Sequence, residues 1–337
     1  MALWSALATA QGPDEKPPLE IIIRAPLIET QWQEAPSGVT LIGDEDIEDG
    51  RALLQPTEAL NLAPGVLVQN RNNFAQNPRV SIRGFGARAP FGIRGVRVRL
   101  DGIPLTTVDG QAQVDAIDPS SIQAIEVLRG ANAVLHGNSS GGLLDYRSYP
   151  AGHPPPAQAE AQLGGYGLRR IHGALSKTHD QFAFRGAITQ LEQQGYREQS
   201  AVERRNVGLW FDSQQADRDW FAILNHLDNP LAEDPGALTY AELQDDPSRA
   251  APLAGIMDAG QEVTQTISSL GVVQRLGGDH HQLRAQGWLT RRDFQQQLPF
   301  PGDSLIGYDR QILGGAIHYQ RPLGELILHA QLSLEDQ

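Results

Sequence analysis

This chain of 337 residues contains no cysteine, so neither a disulfide framework nor a thiolate metal site is open to it. It holds no run of about 18 apolar residues, which excludes a transmembrane helix. A transmembrane β-barrel stays open, because barrel strands alternate and add little to the mean hydropathy. Acids outnumber bases 40 to 27, and a net charge of −13 argues against a general nucleic-acid binder, which needs a cationic face. One stretch departs from that balance. From Arg71 to Arg99 there is no lysine and no acid, yet arginine stands at 71, 79, 83, 88, 94, 97 and 99.

Arginine is used over lysine where planar, bidentate hydrogen bonding to carboxylates is needed, so this run implies an anionic ligand or ion pairs with acids elsewhere. A solvated cationic strand face is the bland alternative. In Arg79-Val80-Ser81-Ile82-Arg83 and Val96-Arg97-Val98-Arg99-Leu100 arginine alternates with apolar residues, the pattern of strands with one guanidinium face. Gly84-Phe85-Gly86, Pro90-Phe91-Gly92 and Asp101-Gly102 punctuate them as turns. This places Arg83, Arg97 and Arg99 on strands and Arg88 and Arg94 near loop tips.

The organisation reads in four parts. Residues 1–18 are a signal remnant and linker: Ala8-Thr9-Ala10 fits a small-residue cleavage site, but the charged region expected before it is missing, which suggests a truncated start. Residues 19–28 hold a lone β-prone segment, Leu19-Glu20-Ile21-Ile22-Ile23-Arg24-Ala25, with no evident hairpin partner. It suits pairing with another protein's sheet edge, or the first strand of the next domain. Residues 29–150 are an α+β domain, with helices opening at Asp44-Glu45-Asp46 and at Thr57 and a strand at Ala124–Leu128. Residues 151–337 alternate with period two, as in Phe182, Phe184, Gly186 and Ile188. Roughly nine strands are joined by tight turns and by long polar loops such as 229–260. Unequal connections describe an outer-membrane barrel wall better than a β-sandwich. Lipid-facing strands cannot leave edges unpaired, so the chain is expected to be cut short at Gln337.

Val80-Ser81-Ile82-Arg83-Gly84-Phe85, Val98-Arg99-Leu100-Asp101-Gly102-Ile103-Pro104 and Ile125-Glu126-Val127-Leu128-Arg129-Gly130, followed by Leu135-His136-Gly137-Asn138-Ser139-Ser140-Gly141-Gly142, resemble the plug signatures of TonB-dependent outer-membrane receptors. Ala131, His136 and Leu144 depart from the family's usual proline, tyrosine and asparagine. The resemblance implies an α+β plug domain followed by antiparallel transmembrane β-barrel strands, part of a 22-stranded barrel. It further implies active uptake in the Gram-negative outer membrane, with TonB energised through ExbB and ExbD, a small anionic or iron-chelate ligand, outer-membrane lipid as the surroundings, and no enzyme activity.

Within the family, Val66–Gln76, Phe91–Gly95, Asp109-Gly110-Gln111 and Ala232–Thr239 look like transporters of pyrroloquinoline quinone, with ferric siderophores as the alternative cargo. A passive porin or adhesin, and a soluble anion-binding module, are the readings from other classes. The resemblance assigns Arg83 and Arg129 to ion pairs with barrel-wall acids, expected beyond Gln337, and Leu19 to Ala25 to TonB. Arg71, Asn72, Arg88, Phe91, Arg94 and Asp109 fall in the turns expected at the plug apices and are the candidate ligand residues, although turn duty alone explains Asn and Asp there. No cofactor is implied. Asp279-His280-His281 reads as turn polarity rather than a metal set, and Ser139, His136 and Asp145 as plug residues rather than a hydrolase triad.

Overall fold

The computed structural model describes residues 22–23, 30–31, 38–89, 92–130, 137, 139–148, 155–179, 181–277, 281–323 and 326–336. The signal-like segment 1–10, the linker 13–18, Phe91, Ala131 to His136, Asp279 and His280 lie outside these. So do Leu19, Glu20, Ile21, Arg24 and Ala25. The segment read as a lone strand is not alone: β1 (Ile22–Ile23) pairs antiparallel with β2 (Thr30–Gln31), a partner too short to carry a periodic signal.

Among the described residues, eleven strands precede residue 150. β3 (Gly38–Gly43) leads into the helix Asp44–Glu48, where the sequence places one. The second expected helix is a 3₁₀ turn, Glu58–Leu62, before Pro64-Gly65. Glu58 itself accepts hydrogen bonds from the amides of Leu53 (3.1 Å), Leu54 (2.8 Å) and Gln55 (2.8 Å), which tightens the preceding loop. β4 (Val66–Gln69) and β5 (Arg79–Ile82) form one hairpin. β6 (Ile93–Arg94) pairs with β9 (Gln111–Ala112), and between them lie β7 (Arg97–Leu100) and β8 (Ile103–Pro104). β10 (Ala124–Arg129) and β11 (Leu143–Arg147) complete a sheet of order β3-β10-β11-β7-β8. β7 and β11 run parallel.

The expected guanidinium face is present on β7: Val98 and Leu100 are buried while Arg97 and Arg99 are half-buried. Asp101 and Gly102, both at positive φ (53° and 82°), make the two-residue turn from β7 to β8, the geometry that matches strand twist. Two placements differ from the sequence reading. Arg83 is not on a strand; it follows β5 in left-handed backbone at φ 50°. Arg94 is in β6, paired with Gln111, rather than at a loop tip.

The second sheet runs in strict chain order through β12 (Ala157–Leu163), β13 (Arg169–His179), β14 (Phe182–Gln193), β15 (Val202–Gln214), β16 (Arg218–Glu233), β17 (Gly260–Arg275), β18 (Gln282–Gln297), β19 (Leu305–Leu323) and β20 (Leu326–Asp336). Every pair is antiparallel, and β12 and β20 are not paired with each other among the described residues. Connections at one end span 164–168, 194–201, 234–259 and 298–304, against 180–181, 215–217, 276–281 and 324–325 at the other. β16 extends five residues into the region expected as loop, so the longest connection begins at Asp234. It is not structureless: it holds helices Tyr240–Asp245, closed by a Thr239–Glu242 capping box, and Pro252–Ile256.

The two faces of this sheet are inverted relative to a soluble protein. On β14 Phe182, Phe184 and Ile188 are exposed, whereas Arg185, Ala187, Thr189 and Leu191 are buried. Leu175, Leu209, Phe211, Leu270, Leu313, Ile317 and Leu332 extend the exposed apolar surface across the other strands. The inward face carries Arg170, His172, Arg204, Asn206, Gln265, Gln286 and Arg292, all buried. The first domain rests on that face, and its core takes in Leu227, Val263, Ile267, Trp288 and Phe294 from the strands.

Candidate functional site

A cleft opens at the long-connection end, and a polar seam joins the first domain to the sheet. The cleft has a volume of about 1440 Å³. From the first domain it is lined by Arg71, Asn72, Asn73, Phe74 and Gln76, and from the sheet's long connections by Tyr166, Tyr196, Arg197, Asp234 and Phe300. Tyr166 and Tyr196 meet edge to face, with ring centroids 5.4 Å apart.

Asp234 ties the two walls together. Its carboxylate, almost fully buried, accepts from Asn73 Nδ2 (2.8 Å), Gln76 Nε2 (2.8 Å) and the Gly236 amide (3.0 Å). Arg197 braces the same connection, donating to the carbonyls of Gly236 (2.7 Å), Pro235 (3.1 Å) and Arg249 (3.0 and 3.1 Å). The outcome is an aromatic and amide-rich cleft with Arg71 in its wall, joined rigidly to the loop that closes it.

Of the six candidate ligand residues, Arg71 and Asn72 line this cleft. Arg88 is exposed in the turn after β5, outside it. Arg94 and Asp109 lie elsewhere on the first domain and face each other, 3.7 Å apart. Burial works against ionised Asp109, but the Thr107 hydroxyl, the Gln111 amide and Arg94 outweigh it and hold the carboxyl below its usual range. Phe91 is outside the described residues. Sequence reasoning did not name Tyr166, Tyr196, Arg197 or Asp234 as site residues; tyrosines beside glycine and the Glu233-Asp234-Pro235-Gly236 turn in the long connections were the available signal.

The seam carries ion pairs of both polarities, a wall arginine on a first-domain acid and a first-domain arginine on a wall acid. Arg292 of β18 grips Asp115 with both nitrogens, at 3.0 and 2.6 Å, and both side chains are buried. Burial opposes the ionised form of Asp115, yet Arg292, with Arg204 behind it, holds its carboxyl below the usual range. Asp118 accepts from Ser121 Oγ (2.9 Å) and from Thr189 Oγ1 of β14 (2.7 Å), and Thr189 is bonded in turn by His172 Nδ1 (2.8 Å). Strand pairing brings His172, Thr189, Asn206, Leu227, Gln265 and Arg292 into one row across the wall, polar but for Leu227, and the row meets the segment 115–121 through Asp115 and Asp118. Nearer the short-connection end, Trp210 Nε1 donates to Ser148 Oγ (2.8 Å), and Ser148 donates to Asp101 through its amide (2.8 Å) and hydroxyl. Arg97 meets Glu335 at 3.2 Å.

Arg83 and Arg129 form no ion pair with an acid among the described residues. Arg129 donates to Pro64 O (2.6 Å) and Thr40 Oγ1 (2.7 Å), and burial together with the neighbouring Arg83 lowers its pKa. Asp145 pairs with Arg99 (3.0 Å) inside the sheet, and His136 lies outside the described residues.

A short sheet domain is thus seated against the inward face of an apolar-out wall, and known proteins share parts of this arrangement. Residues 32–143 match the family described as TonB-dependent Receptor Plug Domain. The chain is 28% identical over 211 residues to the ferrichrome outer membrane transporter/phage receptor of Escherichia coli K12, covering 60% of this chain and 26% of that protein. Over 119 residues it is 29% identical to the hemin receptor of Yersinia enterocolitica, covering 35% of this chain and 16% of that one. Among solved structures, the unliganded ferric citrate transporter FecA superposes with a TM-score of 0.72 at 21% identity, covering 89% of this chain and 47% of FecA. The chain thus spans about half the length of that structure and about a quarter and a sixth of the two relatives.

Proposed function

We propose that this chain supplies the plug and adjoining wall of a TonB-dependent outer-membrane receptor that takes up an iron chelate. One observation carries the reading: a plug whose apex and long wall connections jointly line a cleft with Arg71, Tyr166 and Tyr196, opposite the end where the connections are short. Such a cleft offers stacking surfaces and a guanidinium to a compact anionic ligand. The relatives' names, hemin, ferrichrome and ferric citrate, favour iron chelates, and none supports the pyrroloquinoline quinone likeness of the sequence motifs. No helix among the described residues is long and apolar enough to cross a membrane; the outward faces of the strands are the surface offered to lipid.

On this reading Leu19 to Ala25 pairs with TonB, and Arg83 and Arg129 are the plug groups that a closed barrel would meet with acids. Calorimetry with hemin, ferrichrome, ferric citrate and pyrroloquinoline quinone in turn tests the cargo. An iron chelate binds, and Arg71→Ala weakens it by about 1.5–3 kcal/mol, the worth of hydrogen bonds to a charged group. Tight binding of the quinone alone, or affinity indifferent to Arg71, refutes the assignment.

A further inference from the structure

We propose that the inward face of the wall carries a divalent-metal site, formed by His318 and His329 at the short-connection end. The two imidazoles are on neighbouring antiparallel strands, β19 and β20, close to the 324–325 connection. Nε2 of His318 lies 3.2 Å from Nδ1 of His329, and the rings are nearly parallel, at 9° with centroids 5.4 Å apart. That contact is a hydrogen bond, one ring nitrogen donating to the other; two nitrogens bound to one cation at zinc-like bond lengths in tetrahedral array stand about 3.3 Å apart, so a cation that displaces the shared proton needs the rings to turn toward it but not to separate.

Both residues are on the plug-facing side. His329 is directly opposite Gln320, which is almost wholly buried, and His318 is two residues from Ala316, which packs against the plug core. Both are half-buried on that face. The backbone of β19 and β20 is locked by eleven successive residue pairs, so the spacing is held by the sheet rather than by two flexible side chains. Imidazole nitrogens select Zn²⁺, Cu²⁺ and Ni²⁺ over Mg²⁺ and Ca²⁺. Water completes the coordination, and the bound ion ties β19 to β20. The site is at the opposite end from the cleft and is independent of the cargo bound there.

Titration of the full chain in detergent, purified without a histidine tag, with Cu²⁺ and with Zn²⁺ tests this. The expected result is one high-affinity Cu²⁺ per chain whose electron paramagnetic resonance spectrum shows coupling to two imidazole nitrogens. His318→Gln and His329→Gln each weaken binding at least tenfold, since outer-sphere changes alone cost metal sites 10–100-fold. His281→Gln leaves binding unchanged, because His281 faces Tyr319 on the other side of the sheet. A spectrum lacking two-nitrogen coupling, or affinity unmoved by both variants, overturns the proposal. A check that needs no variant is copper-directed oxidation of the unmodified protein with ascorbate. Damage concentrated at His318 and His329 supports the site, and damage elsewhere overturns it.

Discussion

Asp115 and Arg292 show what a single residue contributes at the seam. Both are buried and each is the other's main compensation, so Asp115→Ala strands a guanidinium in a low-dielectric interface. The expected cost is about 3–5 kcal/mol in denaturant unfolding, whereas replacing both partners with apolar residues of similar size recovers most of it. Asp101 gives a pH dependence of opposite sign to the usual carboxylate. Burial pushes its pKa from 3.8 up to about 6, against the pull of the Ser148 hydrogen bonds. A folded-state pKa above the unfolded one means the folded plug holds the proton more tightly. The stabilisation is therefore complete below the unfolded value and is lost as pH rises through 6. Asp101→Asn, which tolerates the positive φ, should flatten the stability profile between the two values and raise stability at pH 7, as read from unfolding midpoints across pH.

Among the elements, β14 and β7 were legible from period-two alternation, because in both the backbone period and the burial period coincide. Alternation could not say which face of the wall turns inward. The structure puts the apolar side out, so Phe184→Arg in a reconstituted bilayer should cost up to about 2–4 kcal/mol, while a soluble sandwich would gain or lose little from it. Unfolding in lipid vesicles measures it. Arg83 and Arg94 were misplaced by one or two residues for a simple reason: two-residue strands and left-handed turns leave no periodic trace. The 3₁₀ turn at Glu58–Leu62 was read as an ordinary helix because its apolar spacing is too short to separate the two.

For the molecule as a whole, the prediction is about coupling. If Leu19 to Ala25 engages TonB, deleting those residues abolishes energised uptake in cells expressing the protein while leaving ligand affinity intact; a passive channel would lose neither. The exposed apolar wall also predicts that the chain partitions into detergent micelles rather than buffer, and a freely soluble monomer would contradict the orientation of every strand.

Residue types and their spacing determined that there would be an arginine-bearing sheet domain followed by alternating strands, since local periodicity and turn chemistry are written in neighbouring residues. The partners were decided only by tertiary structure. Asp115 with Arg292, Asn73 with Asp234, and Ser148 with Trp210 are 177, 161 and 62 positions apart, and they meet because strand register and plug seating place them together. The row from His172 to Arg292 and the pair His318 and His329 follow from the same cause: hydrogen-bonded register converts distant positions into one surface.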